Sequence, residues 1–185
     1  MMGWGNDQYV GDLPLISGKR AISVVEFTRP TDTTAYAAND VISNSTSAPT
    51  VMQFTGMARA NGGSGVIRRA RMMTDNSAFV ARVRWHIFNE APTAIADNAQ
   101  YTMLYANRDK RIGSLDFPAF ATEGTGSDAA ATMRPSSEGG WSVPELEYTC
   151  AANSTSLFVI VETLSAATPA NAQKFYAQIL ADWLS

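Results

Sequence analysis

From Ala21 onward the chain is written largely in a two-residue rhythm. Ile22, Val24, Glu26 and Thr28 alternate with Ala21, Ser23, Val25 and Phe27. That order predicts a strand with one apolar and one mixed face, because successive strand side chains point to opposite sides. Arg29-Pro30 ends it, since proline has no N–H for a ladder and biases the residue before it away from helix. The sharpest alternation spans Ala78–Phe88: Phe79, Ala81, Val83, Trp85 and Ile87 form one side, and Val80, Arg82, Arg84, His86 and Phe88 the other. Further strands are expected over Val51–Arg59, Val66–Thr74, Gln100–Ala106, Ile112–Phe117, Leu146–Cys150 and Ser156–Leu164. Phe175–Leu184 fits both the strand and the helix period, and its many strand neighbours favour strand.

The punctuation between these runs is rich in turn formers. Asn61-Gly62-Gly63-Ser64-Gly65 predicts a hairpin joining 51–59 to 66–74, because asparagine and glycine adopt positive φ cheaply. Asp75-Asn76-Ser77 predicts a second turn. Asn89–Asn98, with Pro92, reads as a connection, and Ala119–Trp141 reads as a long loop with several glycines. Many short strands without crossover helices predict an all-β fold, for which a jelly-roll-like antiparallel β-sandwich of about eight strands is the commonest compact form. This domain is expected to span residues 18–185. Residues 1–17 are broken by glycines and Pro14 yet carry Trp4, Tyr9, Leu13 and Leu15. They are expected to form an extended arm laid on the body or on a neighbouring subunit, with those four side chains as anchors.

Composition narrows the partners. At 185 residues and 45% apolar content, the chain suits a single domain able to bury a core. A net charge of −3 and a pI near 5.1 argue against nucleic acid as a partner, which calls for a basic patch. The single cysteine, Cys150, excludes an intrachain disulfide and a multi-cysteine metal site. No run approaches the ~20 apolar residues of a membrane span, and no secretory leader is visible. No membrane partner and no cofactor are expected.

The candidate chemistry is thin. His86 is the only histidine and sits inside a strand pattern between Trp85 and Ile87, where packing is the plainer role. Gly62-Gly63-Ser64-Gly65-Val66 lacks the second glycine of a nucleophile elbow and lies at a turn between strands. Glu145, Glu147, Asp97 and Asp116 show no spacing that marks an acid/base pair. No catalytic residue or metal ligand is therefore expected. The arginines say more. If a tight turn at Asn76-Ser77 set the register, Arg71 would face Arg82 and Arg69 would face Arg84. Like charges opposed across a ladder destabilise it, so acids from Glu26, Glu162 or a neighbouring subunit are expected to meet this strip. The alternative is that the arginine stems spread over apolar surface. Trp141, in Glu138-Gly139-Gly140-Trp141, is the tryptophan expected to be exposed and to mark a protein contact.

The segment Phe27–Ile42, FTRPTDTTAYAANDVI, and the later segments NGGSGVI, FNEAPTAIADNAQYT and STSLFVIVETLSAATP together resemble small structural proteins of tailed bacteriophages. The four occur in the same order and span most of the chain. The resemblance implies a virion component with no chemistry of its own, made in the host bacterial cytoplasm. Its most concrete form is a capsid decoration (cement) protein on the outer shell. The partners it implies are the major capsid protein and further copies of itself, as a homotrimer. Trp4, Tyr9, Leu13, Leu15, Arg69, Arg71, Arg82, Arg84 and Trp141 are the contact residues expected on this reading. The alternative is a tail or head-fibre module that binds host glycan.

Overall fold

The computed structural model describes residues 20–133 and 146–184. Within them the chain forms β1 (Arg20–Thr28), β2 (Val41–Ile42), β3 (Met52–Phe54), β4 (Ser64–Thr74), β5 (Val83–Phe88), β6 (Arg111–Asp116), β7 (Ala121–Thr122), β8 (Ala129–Met133), β9 (Leu146–Thr149), β10 (Leu157–Thr163) and β11 (Lys174–Trp183). One sheet runs β1-β11-β4-β8-β7, with β9 also on β4. The other runs β2-β10-β5-β6, with β3 also on β10.

The pairing is nested. β1 pairs with β11, β2 and β3 share β10, β4 holds β8 and β9, and β5 pairs with β6, all antiparallel. Each pair thus encloses the next along the chain, and successive pairs alternate between the two sheets. This is jelly-roll connectivity, the form expected for an antiparallel body of this size. β2 with β3, and β8 with β9, each occupy one position in the ladder, which leaves eight positions and the short β7 at the rim.

The core lies between the sheets and uses the face foreseen from alternation. Phe79, Ala81, Val83, Trp85 and Ile87 are all buried. Trp85 packs on Phe54 and Phe117, with ring centroids 5.7 and 4.7 Å apart. Phe79 meets Phe120 and Phe175 edge-on, an arrangement favoured by the ring quadrupole. Only Val83–Phe88 of the long alternating run joins a ladder. Ala78–Arg82 keeps the phase but crosses from one sheet to the other.

Several expected connections are corrected by this crossing. The 61–65 turn does not close a hairpin: it hands the chain from β3 in one sheet to β4 in the other. Val51–Arg59 contributes only Met52–Phe54 as strand, and Gln100–Ala106 forms no strand, ending in a 3-10 turn at Tyr105–Asn107. The presumed long loop Ala119–Trp141 holds β7 and β8. Phe175–Leu184 resolves as strand β11, paired on both sides.

Candidate interaction face

The two sheets treat their outer faces differently. On the β10 sheet, Val41, Phe88 and Ile160 form a second small core under Val51, Ile95, Tyr101, Met103 and Phe158. The segment 89–104 is the cover. Its backbone bonds to the β2 region, with Asn98 N–H donating to Val41 O, Val41 N–H to Ala99 O and Tyr101 N–H to Asn39 O. β10 is consequently buried on both sides, which explains its nearly unbroken apolar run, Leu157–Val161.

The outer face of the β1-β11-β4 sheet has no such cover among the described residues. Register places its side chains in rows: Ile22 beside Leu180 beside Arg69, then Val24 beside Gln178 beside Arg71, then Glu26 beside Tyr176 beside Met73. A register shift at Leu180/Ala181 marks a bulge in β4, and its extra residue is Arg68. The bulge explains why Arg68 and Arg69 are both only partly buried while Ile67 and Ala70 both point into the core. The sequence signal was present in Ile67-Arg68-Arg69-Ala70, where two polar residues interrupt the alternation.

The arginines on this face are held by light contacts. Arg69 Nη2 donates to Gln178 Oε1 at 3.1 Å, and the Arg71 guanidinium lies 5.4 Å from the Tyr176 ring centroid. Arg20 Nε and Arg68 Nε both reach Asp182, at 3.2 and 2.8 Å. The Nε atoms of Arg69 and Arg71 lie against the sheet with no acceptor among the described residues. The expected facing of Arg69 and Arg71 with Arg82 and Arg84 does not occur, because β4 and β5 belong to different sheets. Arg84 instead pairs in bidentate fashion with Asp116, at 2.5 and 2.7 Å, with Glu162 at 3.9 Å. That hydrogen-bonded pairing holds the Asp116 carboxyl below the usual carboxylate range. Glu162 is one of the acids expected; Glu26 lies on the sheet of Arg69 and Arg71 and makes no ion pair with them among the described residues. Arg82 is exposed just ahead of β5. The remaining expected contact residues, Trp4, Tyr9, Leu13, Leu15 and Trp141, lie outside the described residues, as does the proposed arm.

His86 is built into the covered face. Its Nε2 lies 2.7 Å from Glu162 Oε2, its Nδ1 lies 3.3 Å from Arg111 Nη2, and Tyr101 stacks on the ring at 3.8 Å and 5°. A guanidinium can only donate, so Nδ1 accepts and Nε2–H donates to the carboxylate. Burial disfavours the imidazolium and lowers the pKa, Glu162 works against that, and Arg111 and Arg84 reinforce it. Both ring nitrogens and one ring face are thereby occupied.

A third cluster is internal except at its Asp32 end. Arg29 Nη2 meets Asp97 Oδ2 at 3.0 Å, with both side chains completely buried. Tyr36 Oη donates to Asp97 Oδ1 at 2.7 Å, Arg29 Nε donates to Tyr36 Oη at 3.0 Å, and Ser43 N–H donates to Asp97 Oδ1 at 2.8 Å. Asp32 joins through Arg29 Nη2 at 3.0 Å, and its main-chain carbonyl accepts from Nη1. Burial and the neighbouring Asp97 push the Tyr36 phenol well above its ordinary range, so it remains a donor. The sequence marked Tyr36 as an anchor but offered no cue that Arg29 and Asp97 meet, since 68 residues separate them.

No family model matches the chain, and no curated protein does. Among solved structures, a chain of the Sacbrood virus of honeybee is similar at 11% identity and a TM-score of 0.26, over 89% of this chain and 68% of that one.

Three segments distant in sequence converge on the internal cluster. Phe27–Ile42 supplies Arg29, Asp32 and Tyr36, and Phe88–Thr102 supplies Asp97. Ser154–Pro169 supplies Ala167, which bridges to Tyr36. These segments are thus tied by architecture. Among the described residues no group of three or more His, Cys, Asp or Glu side chains could hold a metal ion, and no helix is long and apolar enough to cross a membrane.

Proposed function

We propose that this chain is a non-enzymatic structural component of a tailed-bacteriophage virion, and most concretely a decoration protein that binds the outer shell. The observation that carries the reading is the contrast between the two outer faces. One is sealed by residues 89–104, whereas the other presents Ile22, Val24, Leu180 and Tyr176 among Arg68, Arg69 and Arg71. Jelly rolls serve capsids and lectins alike, so the face, not the fold, selects the partner. Aromatic and arginine side chains around an apolar strip are what protein interfaces enrich. Arg69 and Arg71, held among the described residues by a side-chain amide and a ring, have donors to offer an acidic shell surface. A stable contact buries more than ~1,000 Å², and repetition over a shell adds multivalency to a modest single affinity.

The test is binding to purified shells that lack the protein, read by co-sedimentation and by shell melting. Wild type is expected to saturate the shells and raise their melting temperature. The Arg69→Glu/Arg71→Glu variant, with unchanged circular dichroism, should bind at least about tenfold more weakly through charge reversal at the interface. Equal binding by that variant, or no binding by wild type, sinks the reading. Glycan binding without shell binding would indicate the receptor module instead.

A further inference from the structure

The rim of the open sheet carries a second surface, the outer edge of β1, which pairs with no strand among the described residues. Unpaired edges invite another strand, and proteins blunt them by shortness, bulges or prolines. The other rims of the two sheets among the described residues are blunted in this way: β7 has two residues, β9 four, β2 and β3 two and three, and β6 pairs through a register irregularity. β1 differs, with nine residues, no proline and an unbroken register against β11.

The backbone phase of that edge follows from one hydrogen bond. Arg29 N–H donates to Gln173 O at 3.0 Å, continuing the register in which Thr28 faces Lys174. Donors and acceptors alternate in direction along an antiparallel strand. Odd-numbered residues of β1 therefore turn their amides toward β11, and Arg20, Ile22, Val24, Glu26 and Thr28 present theirs outward. The side chains of these same residues stand on the open face, where Ile22 and Val24 are 65% and 44% exposed.

We infer that β1 is a self-complementary edge whose occupant is β1 of a second copy of this chain, paired antiparallel about a two-fold axis at Ser23. In that register Arg20 faces Glu26 of the second copy and Ile22 faces its Val24, then Val24 faces Ile22 and Glu26 faces Arg20. All of these are residues with outward amides, so each pair can exchange two backbone hydrogen bonds. Opposite charges meet at both ends and β-branched side chains meet in the middle, the combinations that stabilise cross-strand pairs. Moving the axis by one residue either way breaks the match. About Ile22, Arg20 faces Val24; about Val24, Ile22 faces Glu26. Glu26 makes no ion pair or side-chain hydrogen bond among the described residues, and Arg20 contacts Asp182 with its own side chain 71% exposed. The pairing joins two open faces into one continuous surface, and isologous two-fold association is the commonest homo-oligomer symmetry. It differs from the trimer that the resemblance implies.

The experiment uses the full chain. Sedimentation equilibrium of wild type should show a concentration-dependent dimer. Arg20→Glu and Glu26→Arg should each weaken it by about tenfold, and the combined swap should restore it, because the reversed charges face each other again. Register is read by cysteines under mild oxidation. Ile22→Cys mixed with Val24→Cys should give a covalent dimer, since directly opposed positions lie about 5.5 Å apart, within disulfide reach. Either variant alone should not, because its equivalent positions are diagonal, at about 7–8 Å. A wild type that stays monomeric at every concentration overturns the inference. So does an oligomer indifferent to the charge reversals, or a mixture that cross-links no better than its components.

Discussion

Arg29 and Asp97 meet at 3.0 Å with neither side chain exposed to solvent. Two charges removed from water require nearly complete compensation, and here it comes from Tyr36, Asp32 and the Ser43 N–H. Burial works against the Arg29 charge, but Tyr36, Asp32 and Asp97 outweigh it and hold its pKa above the ordinary value. The cluster ties the end of β1 to residues 89–104, the segment that seals the opposite sheet.

Removing one partner should therefore cost more than removing both. Asp97→Ala takes one acceptor from a buried guanidinium that keeps Asp32, Tyr36 and the Ala170 carbonyl, leaves a phenol and an N–H without theirs, and should destabilise the fold by about 3–5 kcal/mol in urea titrations. Adding Arg29→Met to it should cost clearly less than the sum of the single losses. Additive effects would mean that the two groups are not coupled.

His86 sets a pH window. Its pKa is lowered in the folded chain, first by burial, so the unfolded chain takes up a proton near pH ~6.5 that the folded chain resists. The stabilisation is complete above that pH and is lost as pH falls below it. Urea midpoints should decline from pH 7 toward pH 5, and His86→Gln, which retains a donor for Glu162, should flatten the decline. An identical slope in that variant would refute the assignment.

Asp116 adds a lower window. Arg84 depresses its carboxyl pKa, so its contribution is present above pH ~4 and disappears as pH falls through the folded value. Asp116→Asn should reduce stability at pH 7 by about 0.5–2 kcal/mol, the pair being only partly buried. The variant should lose less than wild type between pH 4 and pH 2 in thermal unfolding.

Gly65 is required by a close approach. A Cβ there would lie 2.3 Å from Tyr148 Oη and 2.7 Å from the Asp182 carbonyl oxygen, and Tyr148 Oη donates to Met57 O at 2.6 Å. Gly65→Ala should cost at least about 2 kcal/mol, as overpacking does, measured by chemical denaturation. Tyr148→Phe alone should cost about 1 kcal/mol through the lost hydrogen bond.

Cys150 should report unfolding. The residue is 3% exposed and burial pushes its thiol pKa up to about 11, so little thiolate exists near neutrality. Ellman's reagent should label it only in denaturant. Rapid labelling of the native chain would contradict this burial.

The alternation of small, apolar and polar residues was enough to establish an all-β sandwich, the inward face from Phe79 to Ile87 and the termination of β1 at Arg29-Pro30. Those features depend on neighbours one or two positions apart, which is the range over which side-chain periodicity and proline act. Partnership was another matter. A tight turn at Asn76-Ser77 would set β4 beside β5, yet the core is closed by sending them to opposite sheets, and Arg69 and Arg71 part from Arg82 and Arg84. Likewise nothing local joins Arg29 to Asp97, chooses which outer face residues 89–104 cover, or sets β1 as the long rim of its sheet among the described residues. Tertiary structure decided these because each is a contact between distant segments, selected by how two sheets exclude water between them and by which buried charges find a partner.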